Sequence, residues 1–301
     1  MRAEYREEPC RSALNRVKGM GFRWSLNPYM GCVHQCAFCY VRGFEMRADR
    51  PWDDRYGTSI RVKVNVVDVL RRELARRSWR RELVAIGAAT DPYQPAEGRY
   101  RLTRGCIQAL GEAHTPLSLI TRGPLVVRDV DVLSEASRRA KVSVSISLAT
   151  LDDGLASRLE PGVAPPRQRL RAIRELTDAG IAAGLALAPV LPGLTDAPES
   201  IAAVLAGARD AGAVHAWWNL LNLRPGTRDH FLRVLEREWP EEAERYHRLY
   251  PDSGSGYLRS GDAKPMQERL REQVAQADIR DRRRLRLLPE PDPQQLELAI
   301  S

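Results

Sequence analysis

Lysine is almost missing from this 301-residue chain: of 47 basic residues only Lys18, Lys63, Lys141 and Lys264 are not arginine. Set against 39 acidic residues this leaves a formal net charge of +8, which invites a polyanionic partner such as nucleic acid. The arginine skew runs through the whole chain beside many alanines, as GC-rich coding would give, so the charge alone does not define a nucleic-acid surface. Long apolar runs are also missing. None reaches the roughly 18 residues of a membrane-spanning helix, and MRAEYREEPCRSALN at the start has no apolar core of a secretory signal; a cytoplasmic protein with no membrane partner is expected. Hydrophobic residues at 43% and charged residues at 29% exclude collagen, coiled coil and wholesale disorder. Cysteine is scarce and odd in number: five, of which three crowd into Cys32-Val-His-Gln-Cys36-Ala-Phe-Cys39. Such clustering without a secretory signal favours metal binding over disulfides.

After residue 60 short β-branched runs alternate with amphipathic stretches of helical period, the pattern of repeated βα units. Strands are expected at Leu83–Ala89, Pro116–Thr121, Val142–Leu148, Ile181–Pro189 and Val214–Leu220, with one more at Phe22–Asn27 and an uncertain one at Ile60–Asn65. Helices are expected at Val66–Trp79, Leu102–Ala113, Asp129–Ala140, Pro166–Ala179 and Pro198–Ala211. Parallel strands joined by helices close into a barrel or spread as an open sheet, and in both the chemistry sits at the C-terminal strand ends. Residues 1–20 read as an N-terminal arm, 21–226 as the α/β domain, and 227–301 as a helical C-terminal extension ending in a mobile Pro-rich tail. The basic run Arg280-Asp-Arg-Arg-Arg-Leu-Arg286 lies beyond that domain and is the segment most suited to docking a polyanion.

Three thiolates spaced by three and two residues on one tight loop can converge on one centre. Structural zinc usually takes four ligands as two separated pairs, and there is no second CxxC; His34 would complete a Cys3His set only by folding its ring back. A four-iron cluster takes one thiolate per iron, and three cysteines leave one iron open. A structural zinc loop remains the bland alternative. Cys106, inside an expected helix, reads as a small buried hydrophobe, while Cys10 lies in the arm.

The cysteine spacing, with Phe38 before the last cysteine and Tyr40 after it, resembles the radical S-adenosylmethionine superfamily. Asn27-Pro-Tyr-Met-Gly-Cys32, Cys36-Ala-Phe-Cys39-Tyr40, Thr90-Asp91-Pro-Tyr-Gln-Pro-Ala-Glu97 and Arg158-Leu-Glu-Pro161 are similar to its spore photoproduct lyase-like branch, a group of uncharacterised bacterial proteins also labelled DNA photolyase-like. The resemblance implies a partial (β/α)6 barrel and a [4Fe-4S] cluster on Cys32, Cys36 and Cys39. It also implies S-adenosyl-L-methionine chelated at the open iron, and an electron donor such as flavodoxin or ferredoxin. The expected activity is reductive cleavage of S-adenosylmethionine to a 5′-deoxyadenosyl radical that abstracts hydrogen from an unknown substrate. Tyr40 matches the tyrosine that follows the last cysteine in the lyases. Those lyases carry a cysteine near the end of the second strand, where this sequence has Gly87-Ala88-Ala89, so the resemblance does not carry that lesion repair with it.

The strand ends supply the remaining candidates. Thr90 and Asp91 follow the second strand, where the superfamily contacts the methionine amino group. Arg122, ending the third, suits bidentate recognition of the methionine carboxylate. Ser143, Ser145 and Ser147 share one face of the fourth strand, and Ser145 and Ser147 are the favoured ribose contacts. Arg158 and Glu160 follow as contacts or as a simple ion pair. Pro192, in the stiff turn Pro189–Asp196, lets backbone approach a flat adenine. Trp217 and Trp218 are expected on opposite faces, with Asn219, Asn222 and Arg224 closing the sixth strand. Two other readings stay open: a nucleic-acid-binding protein with a structural metal loop, and a nucleic-acid lesion lyase.

Overall fold

The computed structural model describes residues 3–252 and 254–282. Its main sheet contains six parallel strands in chain order: β1 (Trp24–Leu26), β2 (Val84–Ile86), β3 (Leu117–Thr121), β4 (Val142–Ser147), β5 (Ala183–Val190) and β6 (His215–Leu220). Leu14–Arg16 pairs antiparallel outside β1, and Arg280–Asp281 pairs parallel outside β6, so the sheet is open. A second sheet joins Glu4–Glu8, Ser59–Lys63 and Tyr29–Met30. The N-terminal residues are thus woven into both sheets, and the uncertain strand after residue 58 is real.

Alternation along the strands gives the sheet two faces of different chemistry. Leu117, Leu119, Val142, Val144, Ile146, Ala183, Leu185 and Leu187 turn to one face and are buried under the amphipathic helices Leu102–Glu112, Val130–Arg139, Pro166–Asp178 and Pro198–Asp210. The opposite, concave face carries small and hydroxyl side chains: Ser25, Ala85, Ser118 and Ser143 are successive partners across four strands. Ser145 then pairs with Gly184, and Ser147 with Ala186, which faces Trp217. All six residues of β4 are buried, so its hydroxyls look into the concavity and not into solvent. Trp217 stands on the concave face and Trp218 on the helix side, as expected.

Two expectations need correction. The helix expected to reach Trp79 stops at Leu74; Trp79 instead packs edge-on against Trp24, ring centroids 5.7 Å apart, and donates to Thr115 Oγ1. The basic run at 280–286 does not begin beyond the sheet. Arg280 and Asp281 pair with His215 and Ala216, and the Arg282 guanidinium donates to Ser118 Oγ and Ser143 Oγ at the N-terminal end of the concave face. Arginine reaches this floor because the sheet offers it two hydroxyl acceptors in place of apolar filler. The rest of the run, and the tail expected to be mobile, lie outside the described residues. Residues 227–282 otherwise form helices Thr227–Glu238, Pro240–Leu249 and Ser260–Gln276. No described helix is long and apolar enough to cross a membrane.

Candidate active site

The cysteine loop follows β1 and Tyr29–Met30 at the C-terminal end of the sheet, and its position is fixed from several directions. Thr90 Oγ1 and Gln94 Nε2 both donate to the Gly31 carbonyl, and the Val33 amide donates to Gln94 Oε1. Further along, the Ala37 amide donates to the Leu159 carbonyl, the Gly162 amide to the His34 carbonyl, and Thr227 Oγ1 to the Cys39 carbonyl. Tyr29 donates to the buried Glu97, which also accepts from the Thr103 and Arg104 amides and from Arg128. Nearly every polar side chain of the phrase Thr90–Glu97 therefore serves to hold the loop.

Asp91 shows how fully. Its Oδ1 accepts from Thr121 Oγ1 and the Tyr93 amide, and its Oδ2 accepts from the Arg122 amide and lies 3.4 Å from His34 Nδ1. Burial would raise this carboxyl, but His34, Thr121 and the Arg122 amide hold it down at about 2. Burial likewise opposes charge on His34, yet Cys32 and Asp91 prevail and raise it to about 10. His34 is thus turned to Asp91.

Cys32 and Cys36 are buried and Cys39 is partly so; all three are free thiols, as are Cys10 and the buried Cys106. Burial pushes the Cys36 thiol up against the pull of the nearby Arg122 cation, and burial also raises Cys39, against the hydroxyl of Tyr56. Among the described residues no three His, Cys, Asp or Glu side chains close on a single ion. Arg122 extends from the end of β3, its guanidinium carbon 5.5 Å from the Phe38 ring centroid. Its Nε donates to Glu160 Oε1 at 2.7 Å and its Nη2 to the Ala188 carbonyl at 3.0 Å, which leaves three of its five N–H donors. Glu160 also pairs with Arg169 at 2.7 Å. Burial would raise that carboxyl, but Arg169 and Arg122 lower it. Arg158 instead lies over Trp239, 4.5 Å from its ring centroid.

Deeper on the concave face Ser145 Oγ accepts from Trp217 Nε1 at 3.2 Å and meets His215 Nε2 at 3.2 Å. Burial, reinforced by Arg282, lowers His215 to about 3 and keeps it neutral. Gly184 makes room for it, since a Cβ there would stand 2.7 Å from the imidazole. Ser147, nearer the mouth, makes no side-chain hydrogen bond among the described residues. Pro192 is buried in the turn after β5, which the Thr195 hydroxyl and Asp196 carboxylate close onto the Leu191 and Gly193 amides. Tyr40 is 42% exposed, its ring edge-on to Phe44.

Cys32, Cys36, Cys39, Thr90, Asp91 and Arg122 thus meet at one end of the sheet, with Ser145 below them. Sequence reasoning missed Tyr56, Arg42 and the Glu160–Arg169 pair. The only signal for these was an arginine three residues after the last cysteine and an Arg-Leu-Glu-Pro phrase whose glutamate meets an arginine on the following helix.

A sequential parallel α/β sheet with three free thiols on a braced loop at its C-terminal end is the arrangement that the family comparison now places. The chain belongs to the radical SAM superfamily, whose profile matches residues 26–205. It is 42% identical over 276 residues to an uncharacterized protein of Mycobacterium tuberculosis, spanning 90% of this chain and 79% of that one. It is 31% identical over 170 residues to the radical SAM Nalpha-GlyT isomerase of a Pseudomonas phage, spanning 56% of this chain and 33% of that one. Among solved structures, spore photoproduct lyase with bound AdoMet and dinucleoside spore photoproduct superposes with a TM-score of 0.70 at 17% identity, covering 92% of this chain and 80% of that one.

Proposed function

We propose that this protein is a radical SAM enzyme that holds a [4Fe-4S] cluster on Cys32, Cys36 and Cys39 and binds S-adenosylmethionine beside it. The observation that carries the reading is the set of three thiols on one loop, braced by protein contacts, next to the Arg122 fork. Three thiols on one loop suit a polynuclear group with one thiolate per metal atom, whereas structural zinc usually takes four ligands as two separated pairs. When bound, the cluster and S-adenosylmethionine supply a 5′-deoxyadenosyl radical on reduction by a donor such as flavodoxin or ferredoxin. Arg122, pre-set by Glu160 and Ala188, offers its remaining donors to the methionine carboxylate. Thr90 and Asp91 act at the methionine end by holding the loop, because the Asp91 oxygens already serve four partners. Ser147 offers a hydroxyl to the ribose, Ser145 supports it from below, and the Pro192 turn flanks the adenine. Tyr40, exposed directly after the last cysteine, faces the substrate and relays a hydrogen atom. Anaerobic reconstitution is expected to give about four irons per chain and a reduced-state resonance signal that changes on adding S-adenosylmethionine; zinc with no iron uptake would overturn the reading.

A nucleic-acid substrate is favoured by one observation. The three exposed aromatic side chains among the described residues, Tyr40, Phe44 and Tyr257, all stand on segments packed around residues 221–227. Gly43 abuts the Pro225 carbonyl, the Leu223 amide donates to the Gly256 carbonyl, and Arg224 lies 5.8 Å from the Tyr257 ring centroid. Arg47 lies over Phe44. Aromatic faces interleaved with arginine suit stacked bases and their phosphates. Salt-dependent binding of single-stranded DNA or RNA tests this, and no binding at low salt would remove it.

A further inference from the structure

Nothing in the cysteine spacing calls for Tyr56, yet its hydroxyl lies 3.5 Å from Cys39 Sγ, its one hydrogen-bond partner among the described residues. The ring is buried and held on every side. The Arg42 guanidinium lies over it, 4.6 Å from the centroid, and is itself fixed by donating to the Trp52 and Asp53 carbonyls at 2.7 and 2.6 Å. The Tyr56 carbonyl accepts from Gln35 Nε2, on the cysteine loop, at 2.8 Å. Gly57, at φ +82°, runs so close to that loop that a Cβ would sit 2.4 Å from the Cys32 carbonyl oxygen. A hydroxyl so fixed beside a ligand sulfur has a proton to give, whereas a metal-bound thiolate has none.

We infer that Tyr56 donates a hydrogen bond to the Cys39 thiolate and thereby sets the reduction potential of the group the three cysteines hold. The inference rests on the proposed reading of Cys39 as a cluster ligand, and Tyr56 is in this role a positioning residue. Reduction adds negative charge that spreads onto the ligand sulfurs, so a donor at sulfur favours the reduced state and raises the potential.

The experiment is Tyr56→Phe in the full chain, reconstituted anaerobically beside the wild type, with iron content, thermal melt and a resonance-monitored redox titration for both. Y56F is expected to keep its iron while the one-electron reduction equilibrium shifts about tenfold toward the oxidised form, a fall of about 59 mV. An unchanged potential at full iron content overturns the inference. Loss of iron from Y56F also overturns it, because a tuning hydrogen bond leaves all three thiolates in place. A purely structural role would lower the melt without moving the potential. Failure of the wild type to take up iron is a separate result that overturns the reading of the loop and this inference with it.

Discussion

Arg122 is the residue whose surroundings say most about its work. Glu160 and the Ala188 carbonyl fix the fork at two of its donors, so a carboxylate arriving at the others meets a cation that has little side-chain freedom left to lose. Arg122→Ala is expected to weaken S-adenosylmethionine binding by about 1.5–3 kcal/mol, the range for a hydrogen bond to a charged group, with iron content unchanged. An equilibrium titration at matched iron content checks it. His215 gives a prediction in pH. Burial lowers its folded-state value to about 3, below the unfolded value near 6.5. As pH falls through 6.5 the unfolded chain gains a proton that the native chain refuses, and stability drops by up to about 1.4 kcal/mol per pH unit. Denaturant titrations from pH 6.5 to 5 should show a steeper loss in wild type than in His215→Gln, which keeps an acceptor for Ser145; equal slopes would refute it. The gathering of three cysteines on one loop was legible in the sequence from their spacing. Roles carried by tertiary partners were not: Asp91 reads as a free carboxylate until Thr121, Arg122 and His34 are placed around it.

At the scale of elements, the strands and most helices could be read because parallel strands covered by helices must show apolar runs alternating with 3.6-period stretches. The end of the helix at Leu74 could not, since Trp79 is pulled away by Trp24 and Thr115, which lie on other segments. Nor could the addition of Arg280–Asp281 to the edge of β6, because a two-residue strand has no periodicity to read. Two substitutions probe the two faces of the sheet. Leu119→Ala, on the buried helix side, is expected to cost about 2–5 kcal/mol. Arg282→Ala leaves Ser118 and Ser143 without their donor at the floor and is expected to cost about 1–3 kcal/mol. Chemical denaturation of both variants against wild type decides, and an unaltered midpoint for R282A would show that the floor contact contributes nothing.

For the whole molecule, the net charge of +8 is the excess of arginine and lysine over acidic residues, and Arg47 and Arg224 are the arginines that lie over the exposed rings of Phe44 and Tyr257. If bases stack there, Tyr257→Ala should weaken single-strand binding by about 1–3 kcal/mol and leave the slope of affinity against salt unchanged; anisotropy at two salt concentrations separates stacking from simple charge. On the proposed reading, the brace formed by Thr90, Gln94 and Asp91 bears on how a metal would arrive. Many small metal domains fold only around their ion, so that metal binding and chain ordering are one event. Here the loop's ordering entropy is met during folding, by hydrogen bonds to Gly31 and Val33 and by the contact with His34. On the proposed reading of the cysteines, iron and sulfide would be received by a loop that protein contacts already hold, and assembly of the cluster would be a step of filling, separate from the making of the fold.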